Sequence, residues 1–143
     1  MLGISCFYHD SAASLIKNGE IISAVQEERF SRKKHDSRFP INAIKYCLNS
    51  EKISINDLNA IVYYEKPLLT FERLLETYLA TAPRGLRSFI AAMQVWLKEK
   101  IFIKSEIKKK LYNLQKEITP TKDIRVPDLL FSEHHLSHAG SAF

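Results

Sequence analysis

Leu2-Gly3-Ile4-Ser5-Cys6-Phe7-Tyr8-His9-Asp10-Ser11-Ala12-Ala13-Ser14-Leu15-Ile16-Lys17-Asn18-Gly19-Glu20-Ile21-Ile22-Ser23-Ala24-Val25 is the stretch whose reading decides the fold. Leu2 to Phe7 and Ala12 to Ile16 read as short strands. Asn18-Gly19 reads as a tight hairpin turn, because both residues tolerate positive φ. Glu20 to Val25 supplies a third strand. Three strands so connected form an antiparallel meander, and its first connection, Tyr8-His9-Asp10-Ser11, sets polar groups at one end of a sheet.

Beyond the meander the pattern changes to an alternation of helix and strand. Pro40 marks a helix start after the charged stretch from Glu27 to Arg38, and Ile41, Ile44 and Leu48 recur at helical spacing until Asn49-Ser50. Ser54 to Asn59 is polar and turn-like. Ala60 to Tyr64 is a β-prone run suited to a buried strand. Leu68, Phe71, Leu75 and Tyr78 predict a helix closed by Pro83 and Gly85. From Leu86 to Thr119 there is neither glycine nor proline. The apolar stripe Leu86, Ile90, Met93, Leu97 continues as Ile107, Leu111, Leu114, and Lys100 and Lys104 fall on it, which predicts a bend or break between Phe102 and Ser105. Leu129 to Ser132 is the last strand, and a helix starts near His134. The order β-β-β-α-β-α-(α)-β-α is that of one ribonuclease-H-like α/β lobe, the half unit of the actin and sugar-kinase architecture.

A length of 143 residues and 45% apolar composition suit one ordered domain spanning the whole chain. Cys6 and Cys47 are too few and too far apart for a disulfide framework or a thiolate zinc site. No signal-peptide pattern and no apolar run of membrane-spanning length occurs, so the expectation is a cytoplasmic protein with no membrane partner. The net charge of +5 is unevenly spread. Arg84 to Arg125 holds eleven basic residues against four acidic ones, a net of +7, which leaves −2 for the rest. This segment, 84–126, reads as a basic amphipathic helical insertion with a solvated lysine face. Nucleic-acid contact is disfavoured, because no aromatic residue interleaves Lys108-Lys109-Lys110 as a base-stacking surface requires.

Chemistry concentrates at the end of the chain. In Glu133-His134-His135-Leu136-Ser137-His138, a helix starting at His134 puts His134 and His138 on one face, one turn apart, where two imidazoles can grip one cation. Two ligands do not by themselves complete a site, and a carboxylate would have to come from elsewhere. His135 sits about 100° round the helix, although the pair His135 and His138 is an open geometric alternative. Glu27, Glu28 and Arg29 are adjacent, and adjacent side chains diverge, so a strand end with surface ion pairs is expected rather than a carboxylate pair. Lys34 stands in the basic run Arg32-Lys33-Lys34-His35, where phosphate binding competes with plain solvation and spacing does not choose among neighbours. Glycine spacing excludes a P-loop and a dinucleotide fingerprint.

Three stretches together carry a resemblance: Gly3 to Ala13; Gln26-Glu27-Glu28-Arg29-Phe30-Ser31-Arg32-Lys33-Lys34-His35-Asp36 with Arg38-Phe39-Pro40; and His134-His135-Leu136-Ser137-His138-Ala139 with Ser141-Ala142-Phe143. They resemble the amino-terminal region of the O-carbamoyltransferases of nodulation-factor and antibiotic biosynthesis. The resemblance implies an enzyme whose carboxy-terminal domain makes carbamoyl-adenylate from carbamoyl phosphate and ATP. The amino-terminal domain then transfers the carbamoyl group to a hydroxyl of a sugar or other natural product. That domain is similar to the tRNA threonylcarbamoyl transferases, whose iron-binding His-x-x-x-His pair falls on His134 and His138.

By the same resemblance His9 is the candidate general base for the acceptor hydroxyl, a role suited to a group titrating near neutrality. Asp10 orients His9 or the acceptor, and Lys34 pairs with the adenylate phosphate. A divalent metal, iron by the resemblance, polarises the carbamoyl carbonyl. The family's third metal ligand and its nucleotide-binding groups fall beyond Phe143, so the expectation is an amino-terminal portion that is inactive until the carboxy-terminal regions, or a partner chain, are supplied. The alternative is a non-enzymatic remnant or binding module whose basic helices hold RNA or an acidic partner.

Overall fold

A computed structural model describes residues 1–99, 102–120 and 123–140. Three strands, β1 (Leu2–Ser5), β2 (Ala12–Lys17) and β3 (Glu20–Gln26), form the expected meander. β1 pairs antiparallel with β2, and β2 with β3. The hairpin between β2 and β3 turns on Asn18 at φ +53° and Gly19 at φ +87°. Two successive positive φ values give the turn whose twist matches the flanking strands.

A four-residue helix α1 (Glu28–Ser31) and the longer α2 (Ile41–Ser50) precede a single 3-10 turn at Ile55–Asp57 and strand β4 (Ala60–Tyr63). Helices α3 (Pro67–Thr81), α4 (Leu86–Glu99) and α5 (Ile103–Ile118) lead to β5 (Asp128–Phe131) and α6 (His134–Gly140). The sheet order is β3-β2-β1-β4-β5. β4 lies parallel to β1, and β5 parallel to β4. A meander extended by two parallel crossover strands is the ribonuclease-H-like lobe that the element order predicts. Phe102 precedes the first residue of α5, within the interval where lysines interrupt the apolar stripe.

Period-two alternation decides which face is packed. Leu2, Ile4, Ala13, Leu15, Ile61, Tyr63 and Leu129 point to one face, where they meet Ala43, Ile44, Cys47 and Leu48 of α2. Ile103, Ile107, Leu111 and Leu114 of α5 join the same core. The basic segment therefore supplies a core helix, on which Lys104, Lys109 and Lys116 are exposed while Lys110 reaches over the buried Phe39 ring. α3 and α4 pack on each other instead: Tyr78 stacks on Phe89 with ring centroids 4.4 Å apart, and the Trp96 indole N–H donates to the Pro67 carbonyl at 3.1 Å. On the opposite face of the sheet Gly3 lies against Ser14, where a Cβ would come within 2.9 Å of the Ser14 hydroxyl. Among the described residues no helix is long and apolar enough to cross a membrane.

Glu27 departs from expectation. It is not a strand-end residue in surface ion pairs but a buried carboxylate, 4% exposed. Its oxygens accept from the Ala43 amide at 2.8 Å, the Asn42 amide at 3.3 Å and the Asn42 side-chain amide at 2.7 Å. These are first-turn donors of α2 that Pro40, with no side-chain cap to offer, leaves open. A carboxylate there also opposes the positive end of the helix dipole.

Candidate active site

Because β1, β4 and β5 run parallel, the chain leaving each strand emerges along one edge of the sheet, the usual place for ligands in open α/β folds. Loop 6–11 follows β1, Tyr64 follows β4, and α6 begins after Ser132 and Glu133. They enclose a cavity of about 130 Å³ lined by Ser5, Tyr8, His9, Asp10, Tyr64 and His134. Two segments far apart in sequence thus place His9 and His134 on one cavity. The Tyr8 and His9 rings lie 4.5 Å apart, and those of Tyr64 and His134 5.6 Å apart. Burial pushes the Tyr64 phenol up to about 12, so it stays protonated at neutral pH.

α6 is tied down at its start. The Ser132 amide donates to the Tyr63 carbonyl at 2.8 Å, and the Ser137 hydroxyl lies 3.1 Å from the Tyr64 carbonyl. Lys66 and Glu133 form an ion pair at 3.2 Å across the same junction. The helix runs through both His134 and His138, so their backbone positions share a face one turn apart. The His138 side chain lies outside the described residues. Among the described residues no group of three His, Cys, Asp or Glu side chains could hold a metal ion.

Asp10 is the hub of the exposed half of the site. One carboxylate oxygen accepts from His9 Nδ1 at 2.9 Å and the other from His35 Nδ1 at 3.0 Å. The His35 bond first, and the His9 bond with it, hold the Asp10 carboxyl below its ordinary range. The loop carrying His35 is fixed to the loop carrying Asp10 through the backbone: the Phe7 amide donates to the Ser37 carbonyl at 2.7 Å and the Ser11 amide to the Asp36 carbonyl at 2.8 Å. Asp36 is itself buried, and the Arg38 guanidinium donates to both its oxygens, at 2.9 and 2.6 Å. This bidentate pairing keeps the Asp36 carboxyl far below the usual carboxylate range.

His9, Asp10 and His134 therefore meet at one cavity. Lys34 does not line it and stands exposed on the 32–38 loop beside His35. His35 and Tyr64 were not legible as site residues. No spacing links His35 to Asp10, and Tyr64 belongs to a run that reads simply as strand. The cavity adjoins, through Ser5 and Tyr64, a groove of about 780 Å³ on the unpacked face of the sheet, floored by Gly3, Ala12, Ser14 and Val62.

This lobe, with its strand-end cavity, is of a recognised kind: a family model described as the carbamoyltransferase N-terminus matches residues 1–143. The chain belongs to the carbamoyltransferase family, as its amino-terminal domain. An uncharacterized protein of Synechocystis sp. strain PCC 6803 is 62% identical over 143 residues, which is 100% of this chain and 23% of the relative. The nodulation protein NolNO of Sinorhizobium fredii strain NGR234 is 31% identical over 137 residues, covering 96% of this chain and 18% of that protein. An uncharacterized protein of Methanocaldococcus jannaschii is 43% identical over 61 residues, 43% of this chain and 11% of the relative. The chain spans less than a quarter of the length of these relatives.

Proposed function

We propose that this domain forms the acceptor side of an O-carbamoyltransferase, which moves a carbamoyl group from carbamoyl-adenylate to a hydroxyl of a sugar or related natural product. The observation that supports the reading best is the meeting of His9, Asp10 and His134 at one strand-end cavity. In this reading His9 is the general base. Its Nδ1–H is given to Asp10, which leaves Nε2 to take the proton of the attacking hydroxyl. Tyr64, its phenol neutral, forms part of the cavity wall. Lys34, exposed on its loop, is the candidate partner of the adenylate phosphate, a role for an accessible point charge.

A divalent ion, iron by family analogy, would be held by His134 and His138. The continuity of α6 through both positions and the place of His134 on the cavity support this. When bound, such an ion polarises a carbonyl oxygen. ATP and carbamoyl phosphate are the donor substrates of the proposal. The activation domain that consumes them would lie in the additional length that the relatives possess.

A transfer assay tests the reading. The chain is supplied with carbamoyl phosphate, ATP, iron(II) and a panel of sugar acceptors, with and without a carboxy-terminal fragment from a similar enzyme. Transfer is expected only with the fragment, and His9→Ala should lower it by about two to four orders of magnitude, the usual worth of a general base. Transfer that survives His9→Ala undiminished would overturn the base assignment.

A further inference from the structure

We propose that His35 is a positioning residue: its imidazole grips one oxygen of Asp10 so that the other oxygen holds His9 in the tautomer a base requires. The inference rests on the reading of His9 as the base, and it begins from a local difficulty. His9 and Asp10 are adjacent, and adjacent side chains on extended backbone point apart. Their 2.9 Å contact exists because Asp10 adopts φ +48°, in the left-handed region. A non-glycine residue persists there when its surroundings hold it.

The surroundings are the 32–38 loop. His35, at φ +53°, is likewise left-handed, and its Nδ1 reaches the Asp10 oxygen that His9 does not use. The carboxylate, about one-third exposed, is thereby fixed at both oxygens. With one oxygen freed, it could rotate into solvent and release the His9 ring. His35 is not itself a second base for the same hydroxyl, since its side chain is 77% exposed and it does not line the cavity. Fixing a tautomer through a carboxylate is how imidazole bases are commonly made ready, because a proton on Nδ1 leaves the lone pair on Nε2. Here the carboxylate has a second imidazole as its anchor.

Nitrogen-15 NMR of the full chain separates this role from a merely structural one. In the unsubstituted protein, above the titration of both imidazoles, His9 and His35 should each appear as the Nδ1–H tautomer. The opposite tautomer at either ring overturns the proposal, with no variant needed. His35→Ala should move His9 toward the Nε2–H form that free histidine prefers, whereas His35→Gln, which retains an N–H donor, should keep it near the original. A His9 tautomer unchanged in a folded His35→Ala chain also overturns the proposal. In the complemented enzyme His35→Ala should lower kcat by up to about a hundredfold, the scale of a misplaced catalytic group, with KM little changed and His35→Gln partly restoring the rate. If His9→Ala leaves transfer intact while the tautomer shifts with His35, the base assignment fails. If transfer needs His9 but its tautomer ignores His35, the positioning role fails.

Discussion

At the scale of single residues, the domain uses three carboxylates to fix its loops and a helix start, and each has a different job. Asp36 fixes the 32–38 loop from within, Asp10 links that loop to the β1–β2 connection, and Glu27 starts α2. Glu27 is buried and answers three donors on α2. Removing it leaves the Ala43 amide without its acceptor inside the fold. Losing a cap typically costs about 0.5–2 kcal/mol, and stranding a buried donor about 1–3 kcal/mol. Glu27→Ala should therefore lower unfolding free energy by about 1–3 kcal/mol in urea melts, with the slope unchanged. A loss under about 0.5 kcal/mol, the range of an ordinary surface substitution, would show that water replaces the carboxylate without cost.

Among the elements, α5 shows what patterning conveys and what it conceals. Its start after Phe102 was legible, because lysines at 100 and 104 interrupt an apolar stripe at that place. Its partner was not: patterning marks Ile107, Leu111 and Leu114 as an apolar stripe opposite a lysine face without naming what covers it, and with Ile103 they complete the core with α2. The meander was legible for a local reason, since alternation and Asn18-Gly19 act over neighbouring residues. The Glu27 cap and the Asp10–His35 bond were not, because each joins loop or helix positions through tertiary folding alone. Gln115 is another such case. Fully buried on α5, it accepts from the Ile55 amide at 2.9 Å and donates to the Thr119 hydroxyl at 2.7 Å. Gln115→Leu keeps the volume but orphans the Ile55 N–H. It should cost about 1–3 kcal/mol, read by thermal or urea unfolding. Equal or greater stability would mean that apolar packing outweighs the lost bond.

Taken whole, the molecule places its stability unevenly. One continuous core joins β1, β2, β4 and β5 to α2 and α5, and among the described residues α3 and α4 contribute nothing to it. That helical pair is held by its own contacts, Tyr78 on Phe89 and Phe71 near Trp96, and it leaves Leu68, Leu79, Leu86, Ile90 and Leu97 exposed. A unit with so little apolar burial against the rest should open below the global unfolding free energy. The chain has a single tryptophan, Trp96, and it lies in this unit, 7% exposed. Its fluorescence therefore reports the helical pair, while far-UV circular dichroism reports the whole. Urea titration should show the Trp96 transition first, at a lower midpoint than the dichroism transition. Hydrogen exchange should show α3 and α4 amides exchanging faster than those of α2, α5 and β1. Loops 6–11 and 32–38 hold each other through the Phe7–Ser37 and Ser11–Asp36 backbone bonds, so opening of the pair should leave the His9 and His35 resonances in place. Coincident transitions by both probes would mean that α3 and α4 unfold with the core as one cooperative unit.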